Sequence, residues 1–297
     1  MEQRPKKRGD RFDGYWLRDE APALGQFMAY LMPNRADNEA HINVDVDTRP
    51  LDAFLAKKNE GLTEDKYTYL HVFLAAMVKC FVLRPRMNRF ISGTKRIYSH
   101  KDFTVSMVVL RPGGGDTMSK ITIKPQDTIF SVQDAINNYV ADNRVENSNS
   151  LDKTMNVILN MGFLVSFIGT VLRFLDKHGW LPKVLINASP FHASLLISNL
   201  ASIRTNHIYH HVYEFGTTSV GITMGNTRLV ARQTKDGVVF DKCMPLGVVM
   251  DERIASGHYI AQAFTRFKSY LKNPELLEEP FNTQTGIETY AEIQSAC

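Results

Sequence analysis

The sequence predicts an α/β protein, with an α+β arrangement in which helices flank a mixed sheet. Strand-like and helix-like patterns are interspersed along the whole chain, and long apolar strand patterns occur late in it. The 44% hydrophobic content and the net charge of +4 are ordinary for a globular protein, and they exclude a disordered or collagen-like chain. No repeat or low-complexity linker divides the 297 residues, so we expect a single domain over residues 21–297.

The first half of this domain carries clear strand and helix signals. Ile42, Val44 and Val46 alternate with polar residues, which predicts a half-buried strand over residues 41–47. Thr48 and Pro50 are typical of a helix start, and that helix should end near residue 59. The signals that follow predict a buried, nearly all-apolar helix at 66–83, strands at 96–98, 103–110 and 117–124, and a helix at 127–143. Three glycines within 111–116 indicate a hairpin turn and not a phosphate-binding loop, because a strand follows them where such a loop requires a helix.

Residues 155–172 contain no charged side chain. A bilayer-spanning helix needs about 20 predominantly apolar residues, and Asn156, Asn160 and Ser166 interrupt this stretch. We therefore expect a helix that packs on protein, either in the core or at a subunit boundary. A helix lying in a membrane surface is the alternative, because a polar stripe on an apolar helix suits both situations.

The basic residues near the start carry no specific binding motif. Residues 1–20 are interpreted as a flexible basic arm, and no nucleic-acid partner is expected because no base-reading motif accompanies the charges. No apolar signal-peptide segment follows the arm. Three scattered cysteines favour reduced thiols in a cytoplasmic protein over a disulfide framework or a zinc site: Cys80, Cys243 and Cys297.

The histidines give no metal signature. His207, His210 and His211 lie close together, but no Asp, Glu or Cys stands at a metal-ligand spacing from them. An interface or solvent-exposed cluster is therefore favoured over a metal site, and no metal is expected. His71 lies on the apolar helix and should be a core histidine with satisfied hydrogen bonds.

The final third of the chain carries the most specific motif. Residues 244–257 read MPLGVVMDERIASG. This segment begins inside a predicted strand at 238–250 and leads into a predicted helix at 256–271, which Asn273-Pro274 ends. Two further segments lie upstream. The first is Pro85-Arg-Met-Asn88, and the second is Ser198-Asn-Leu, which begins at the last residue of a predicted strand at 194–198. These segments resemble, in order and spacing, the catalytic domain of the 2-oxo acid dehydrogenase acyltransferases, the dihydrolipoamide acetyl- and succinyltransferases. The matches run from about residue 39 to 277, and they imply the fold that chloramphenicol acetyltransferase shares with that family.

The resemblance also implies a set of site residues and one departure. The family motif is Asp-His-Arg-x-x-Asp-Gly, whereas this chain has Asp251, Glu252, Arg253, Ser256 and Gly257. Glu252 takes the place of the histidine that acts as general base in the family, and Ser256 takes the place of an aspartate that orders the site. An unperturbed Glu has a pKa of about 4.3, so it is a useful base only if burial raises that value. The other candidates are Ser198, which matches the family's oxyanion-stabilising serine, His258, which is a candidate to replace the base, and Asn88, which is expected to support a turn.

Three hypotheses follow from this resemblance. The first is a CoA-dependent acyltransferase with a remodelled motif, which takes CoA or acyl-CoA as substrate together with an unidentified acceptor. The second is a catalytically inactive homologue that keeps the family's homotrimer and either binds CoA or an acyl ligand or acts as a scaffold. The third is a membrane-surface protein that uses residues 155–172. No lipoyl domain is recognised in the chain, so we do not expect assembly into a dehydrogenase complex.

Overall fold

Two sheets and seven α-helices make up the part of the chain that the structure describes. The computed structural model describes residues 4–110, 116–144 and 164–284, together with residues 157, 159, 160 and 162. The helices are α1 (Ala23–Leu31), α2 (Arg49–Lys58), α3 (Tyr69–Leu83), α4 (Ile129–Arg144), α5 (Leu164–His178), α6 (Lys183–Ala188) and α7 (Gly257–Lys272). The strands are β1 (Gly14–Trp16), β2 (Glu39–Asp47), β3 (Arg89–Ile91), β4 (Ile97–His100), β5 (Phe103–Leu110), β6 (Asp116–Ile123), β7 (Leu195–Asn199), β8 (Val220–Met224), β9 (Arg228–Thr234) and β10 (Gly237–Asp251).

The larger sheet has seven strands and mixed directions. Its order is β2-β10-β8-β7-β5-β6, and β9 pairs with the first part of β10. The pairs β5–β7 and β7–β8 are parallel, whereas β10 runs antiparallel to β2, β8 and β9. The smaller sheet, β1-β4-β3, is antiparallel. This mixed sheet with flanking helices confirms the predicted fold class.

The main core lies between one face of the larger sheet and helices α3, α4 and α7. Helix α3 is buried from His71 to Phe81, as its nearly continuous apolar sequence predicts. Alternate side chains of the strands point at these helices because successive residues of a strand face opposite sides of a sheet. They include Val44 and Val46 of β2, Val105 and Met107 of β5, Leu195 and Ile197 of β7, Ile222 of β8, and Leu246, Val248 and Met250 of β10.

Over β8 and β10, the second face of the sheet is covered by the loop that contains the three clustered histidines. The backbone N–H of Ile208 in this loop donates to the Thr223 hydroxyl at 3.1 Å. A Cβ atom on Gly247 would lie 2.2 Å from the Ile208 carbonyl oxygen, so only glycine allows the loop to approach β10 here.

Residues 4–20 differ from the flexible arm that the sequence predicts. Strand β1 pairs with β4 in register, with Gly14 opposite His100. The Arg11 guanidinium is buried and donates to the Asp176 carboxylate at 2.8 Å, and its Nε donates to Asp13 at 2.9 Å. The arm is ordered because its charges pair inside the protein, with a carboxylate 165 residues further along the chain.

The apolar stretch at 155–172 lies partly outside the described residues. Its described part leads into α5, and in the protomer that helix is not buried. Phe167 and Phe174 are 66% and 52% exposed, and Val157 and Leu159 are also exposed. Burial within the protomer core is therefore wrong for the described residues, while a subunit-facing helix stays a prediction. None of the helices in the described parts of the chain is long and apolar enough to cross a bilayer.

Candidate active site

The motif at the end of β10 is built around a buried carboxylate. Asp251 is fully buried and is the last residue of β10. The Arg253 guanidinium binds it with two parallel hydrogen bonds, from Nε to Oδ1 and from Nη2 to Oδ2, both 2.7 Å long. The backbone N–H of Arg253 also donates to Oδ1 at 3.2 Å, so the short 3₁₀ turn Glu252–Ile254 is closed by the aspartate that precedes it. Bidentate pairs of this kind fix geometry as well as charge.

A second buried guanidinium completes this cluster. Arg35 lies with its Nε 3.7 Å from Asp251 Oδ2, and its Nη2 donates to the carbonyls of Ile91 and Gly216 at 3.2 and 3.3 Å. Burial lowers the pKa of Arg35, while the charges of Asp251 and Glu214 oppose that shift. Nothing in the local sequence of Arg35 marks it as a partner of the motif, because 216 residues separate it from Asp251.

Glu252 lies on the opposite side of this turn, at the edge of a cavity. Its side chain is exposed in the protomer. The cavity has a volume of about 460 Å³, its floor comes from β2, β10 and α7, and its polar rim includes Glu252, Asn43, Ser256 and Lys268. Ser256 is the N-cap of α7 and accepts a hydrogen bond from the backbone N–H of Tyr259 at 3.4 Å, and Gly257 begins the helix. Glu252, Ser256 and Gly257 therefore line the same cavity.

Ser198 is not part of this cavity. It is half-buried near the end of β7, where it is the register partner of Thr223, which in turn pairs with Gly247 of β10. Glu252 comes five residues after Gly247. At about 3.3 Å per residue, the two side chains of one chain are separated by roughly 16 Å along the strand direction.

His258 and Asn88 do not line the cavity beside Glu252. His258 is exposed in the first turn of α7, with Nε2 3.0 Å from the Gln262 amide. Asn88 is buried at the end of a 3₁₀ turn, where its backbone carbonyl is 3.3 Å from His100 Nδ1 and its Nδ2 is 3.5 Å from the Asp102 carbonyl. This setting agrees with a supporting role for Asn88. The roles assigned to these residues by the resemblance stay predictions.

The other histidines and the cysteines have environments that explain them without a ligand. His71 is buried and completes a capping box with Thr68, and burial lowers its pKa to about 4. Its predicted position in the core is confirmed, but the predicted full set of hydrogen bonds is not, because Nε2 makes none that meets the distance and angle criteria within the described residues. His210 and His211 stack on each other in the loop over the sheet. Across the described ranges, no group of three or more His, Cys, Asp or Glu residues is arranged to hold a metal ion. Cys80 and Cys243 are buried free thiols.

Part of the chain matches a known protein family in sequence, and most of it matches solved structures in fold. Residues 192–278 match the family model described as 2-oxoacid dehydrogenases acyltransferase (catalytic domain). The predicted family resemblance is confirmed. A probable dihydrolipoamide acetyltransferase from Listeria monocytogenes has a similar structure, with 12% identity, a TM-score of 0.55, and coverage of 91% of this chain and 97% of that one. Comparison with curated protein sequences finds no match.

Two further solved structures have the same fold. The cubic core of the pyruvate dehydrogenase multienzyme complex is 14% identical, with a TM-score of 0.56 and coverage of 93% and 99%. A chloramphenicol acetyltransferase is 10% identical, with a TM-score of 0.52 and coverage of 87% and 100%. The chain thus has the fold of an acyltransferase catalytic domain of the 2-oxoacid dehydrogenase type.

Within this fold, Glu252 and Ser198 lie in two separate places, which we call half-sites. The first half-site is Glu252 with the cavity beside it, held in place by Asp251 and Arg253. The second is Ser198 at the end of β7. The sequence motif identified both segments, but only the strand register shows that they lie far apart in one chain.

Proposed function

We propose that this protein is a CoA-dependent acyltransferase whose active site is formed between subunits of a homotrimer. The observation that carries the proposal is the separation of Glu252 from Ser198 by roughly 16 Å along the sheet. A base and an oxyanion donor must both lie about 3 Å from the reacting group. Two copies of the chain can satisfy this requirement, with Glu252 of one facing Ser198 of the next.

In this site Glu252 acts as the general base. Its carboxylate removes the proton from the thiol or hydroxyl of the acceptor, which attacks the thioester carbonyl of acyl-CoA. The Ser198 hydroxyl of the neighbouring subunit donates to the oxyanion of the tetrahedral intermediate, which then expels the thiolate of CoA. Glu252 returns the proton to this thiolate and is ready for the next turnover. Glu252 is exposed in the protomer, and a neighbouring subunit would bury it and so strengthen it as a base.

The solved relatives support the trimeric arrangement. One of the similar structures is the core of a multienzyme complex, and the match covers nearly all of that chain. The protomer also leaves apolar side chains of α5 exposed, including Phe167 and Phe174. The same proposal places the protein in the cytoplasm, which its free cysteines favour.

The exposure of Glu252 also favours a second candidate, the inactive homologue that binds CoA or an acyl ligand. An exposed carboxylate lacks the burial that makes glutamate an effective base. If no subunit covers Glu252, the cavity beside it would bind a ligand without turning it over.

Subunit mixing separates these candidates. Light scattering should give three times the 33.7 kDa of the chain, whereas a stable monomer would overturn the proposal. Transfer of an acetyl group from acetyl-CoA to dihydrolipoamide and to simple thiols is then measured for Glu252→Gln and Ser198→Ala, with Glu60→Gln as the matched exposed control. We expect losses of about 10²-fold or more for the first two variants and none for the control.

Mixed trimers provide the decisive measurement. When the two inactive variants are refolded together in equal amounts, about a quarter of the sites between chains should combine an intact Glu252 with an intact Ser198. Activity should return to that fraction of the native value. If the single variants are inactive and the mixture stays inactive, the shared site is wrong. Calorimetric binding of acetyl-CoA without any turnover would support the inactive homologue.

A further inference from the structure

A serine, a histidine and an aspartate, none of them a residue of the half-sites described above, form a continuous hydrogen-bonded row. Asp176 lies near the end of α5, Ser189 directly follows α6, and His192 lies in the segment before β7. Asp176 Oδ1 is 3.0 Å from His192 Nε2, and His192 Nδ1 is 2.8 Å from the Ser189 hydroxyl. The same three residue types in this order activate a nucleophilic serine in hydrolases on several unrelated folds.

The aspartate of this row is ionised and held rigidly. Asp176 is buried, its Oδ1 accepts from the Arg11 guanidinium at 2.8 Å, and its Oδ2 accepts from the Gly216 backbone N–H at 2.9 Å. Burial by itself would raise the pKa of Asp176, but the hydrogen bond from His192 and the charge of Arg11 hold it well below its usual range. Asp176 is therefore a carboxylate at neutral pH and can only accept hydrogen bonds.

This charge determines the tautomer of neutral His192. Because Asp176 only accepts, the proton of the imidazole lies on Nε2, and Nδ1 carries the lone pair. The Ser189 hydroxyl must then donate its proton to Nδ1. An imidazole nitrogen that carries a lone pair and accepts from a serine hydroxyl can act as the general base for that serine. The two ring nitrogens are exchanged here relative to the serine protease triad, in which Nδ1 faces the aspartate and Nε2 faces the serine.

The surroundings fix the ring and leave the serine accessible. The His192 side chain is completely buried, and its ring contacts Phe215 edge-on with centroids 5.3 Å apart. The Lys120 ammonium group donates to the carbonyls of Ile186 and His192 at 2.5 and 2.9 Å, which holds together the two ends of the turn that carries Ser189. Ser189 itself is only partly buried.

We propose that Ser189 is the nucleophile of a second site in this protein, which hydrolyses carboxylic esters. Ser189 Oγ attacks the ester carbonyl and its proton passes to His192 Nδ1. The bond to the alcohol oxygen then breaks, and the leaving alcohol takes that proton. Water attacks the acylated serine, gives one proton to His192, and releases the carboxylic acid as the proton returns to Ser189. Asp176 is a positioning residue, since it acts only through His192.

The neighbouring helix indicates the kind of ester. Ser189 donates its backbone N–H to the Leu185 carbonyl at 2.9 Å, so Leu185 lies one turn before the serine. Val184 and Leu185 are 76% and 42% exposed. An ester with a short apolar acyl group suits this surface better than a charged one.

Covalent labelling tests the proposal independently of acyl transfer. The native protein is incubated with a fluorophosphonate probe, and the modified residue is identified by peptide mass spectrometry; hydrolysis of p-nitrophenyl butyrate is followed in parallel. We expect labelling at Ser189, and at least a 100-fold loss of labelling and hydrolysis rates in Ser189→Ala. Ser202→Ala is the matched control, because the Ser202 hydroxyl donates to the Asn199 carbonyl at 2.6 Å and has no histidine partner in the described residues. That variant should behave like the native protein.

Two further measurements decide between catalysis and a structural role. His192→Gln, with its fold checked by circular dichroism, should lose labelling, and Ser198→Ala should retain it even if acyl transfer is abolished. The ¹⁵N shifts of the His192 ring should show the Nε2–H tautomer at about pH 8. Absence of a label on Ser189 in the folded native protein, labelling that persists in His192→Gln, or an Nδ1–H tautomer would each overturn the proposal.

Discussion

Replacing Asp251 by asparagine should destabilise the protein strongly. The substitution keeps the size of the side chain but removes the negative charge between two guanidiniums, and places an amide N–H₂ against the donors of Arg253. Arg253 and Arg35 have only 3% of their side chains exposed, so water cannot replace the carboxylate. Breaking a buried ion pair by removing one partner costs about 3–5 kcal/mol. We expect the free energy of unfolding to fall by that amount.

Urea denaturation at one fixed chain concentration measures this change, since assembly makes stability depend on concentration. Asp47→Asn is the control, because Asp47 pairs with an Arg49 side chain that is 58% exposed, and exposed pairs contribute about 0–1 kcal/mol. The double variant Asp251→Asn with Arg253→Gln should be less destabilised than the sum of the two single variants. If Asp251→Asn costs no more than the control, or if the two changes are additive, the buried pair does not stabilise the motif.

Three further predictions concern pH, catalysis and the exposed helix. Burial lowers the pKa of His71 and of His100 from 6.5 to about 4. Between these pH values the unfolded chain binds more protons than the folded one, so each histidine should lower the free energy of unfolding by about 3 kcal/mol as the pH falls from 6.5 to 4. Urea denaturation at several pH values across that range measures the loss. Glu252→His combined with Ser256→Asp should raise the rate of thioester cleavage above the native rate, and a folded double variant with unchanged activity would show that the cavity has diverged as well. Phe167→Asp should reduce the mass measured by light scattering to that of one chain and should not change liposome binding. If the native protein floats with liposomes and Phe167→Asp abolishes that flotation, the membrane-surface hypothesis is favoured.

Local patterns predicted the strands and helices whose burial is regular. Ile42, Val44 and Val46 alternate because one face of β2 packs on helices, and the apolar sequence of α3 reflects burial on every side. Strand β9 was not predicted, since it is exposed on both faces and so shows no alternation. Its position is determined by pairing with β10.

Pairing between distant residues could not be predicted from sequence. Arg11 looks like one charge of a solvated tail until Asp176 is known to lie beside it. Likewise, Ser189, His192 and Asp176 have no motif spacing, and the helix α5 and the loop after α6 bring them together. The family resemblance identified Asp251, Glu252 and Ser198 because it carries such three-dimensional information from other chains. It could not show that Glu252 is exposed in the protomer.

The pairing of β2 with β10 has a consequence for how the chain is made. Asp47 is the register partner of Cys243, so strand β2 must wait until about two hundred further residues have been synthesised before its neighbour exists. At roughly 5–20 residues per second this takes on the order of 10–40 s. During that time the apolar face of β2 and the whole of α3 lack the strand and the helix α7 that cover them. The nascent chain therefore presents apolar surface to solvent for far longer than folding of a local hairpin requires. Its yield in cells should depend on chaperones that bind such surface during translation.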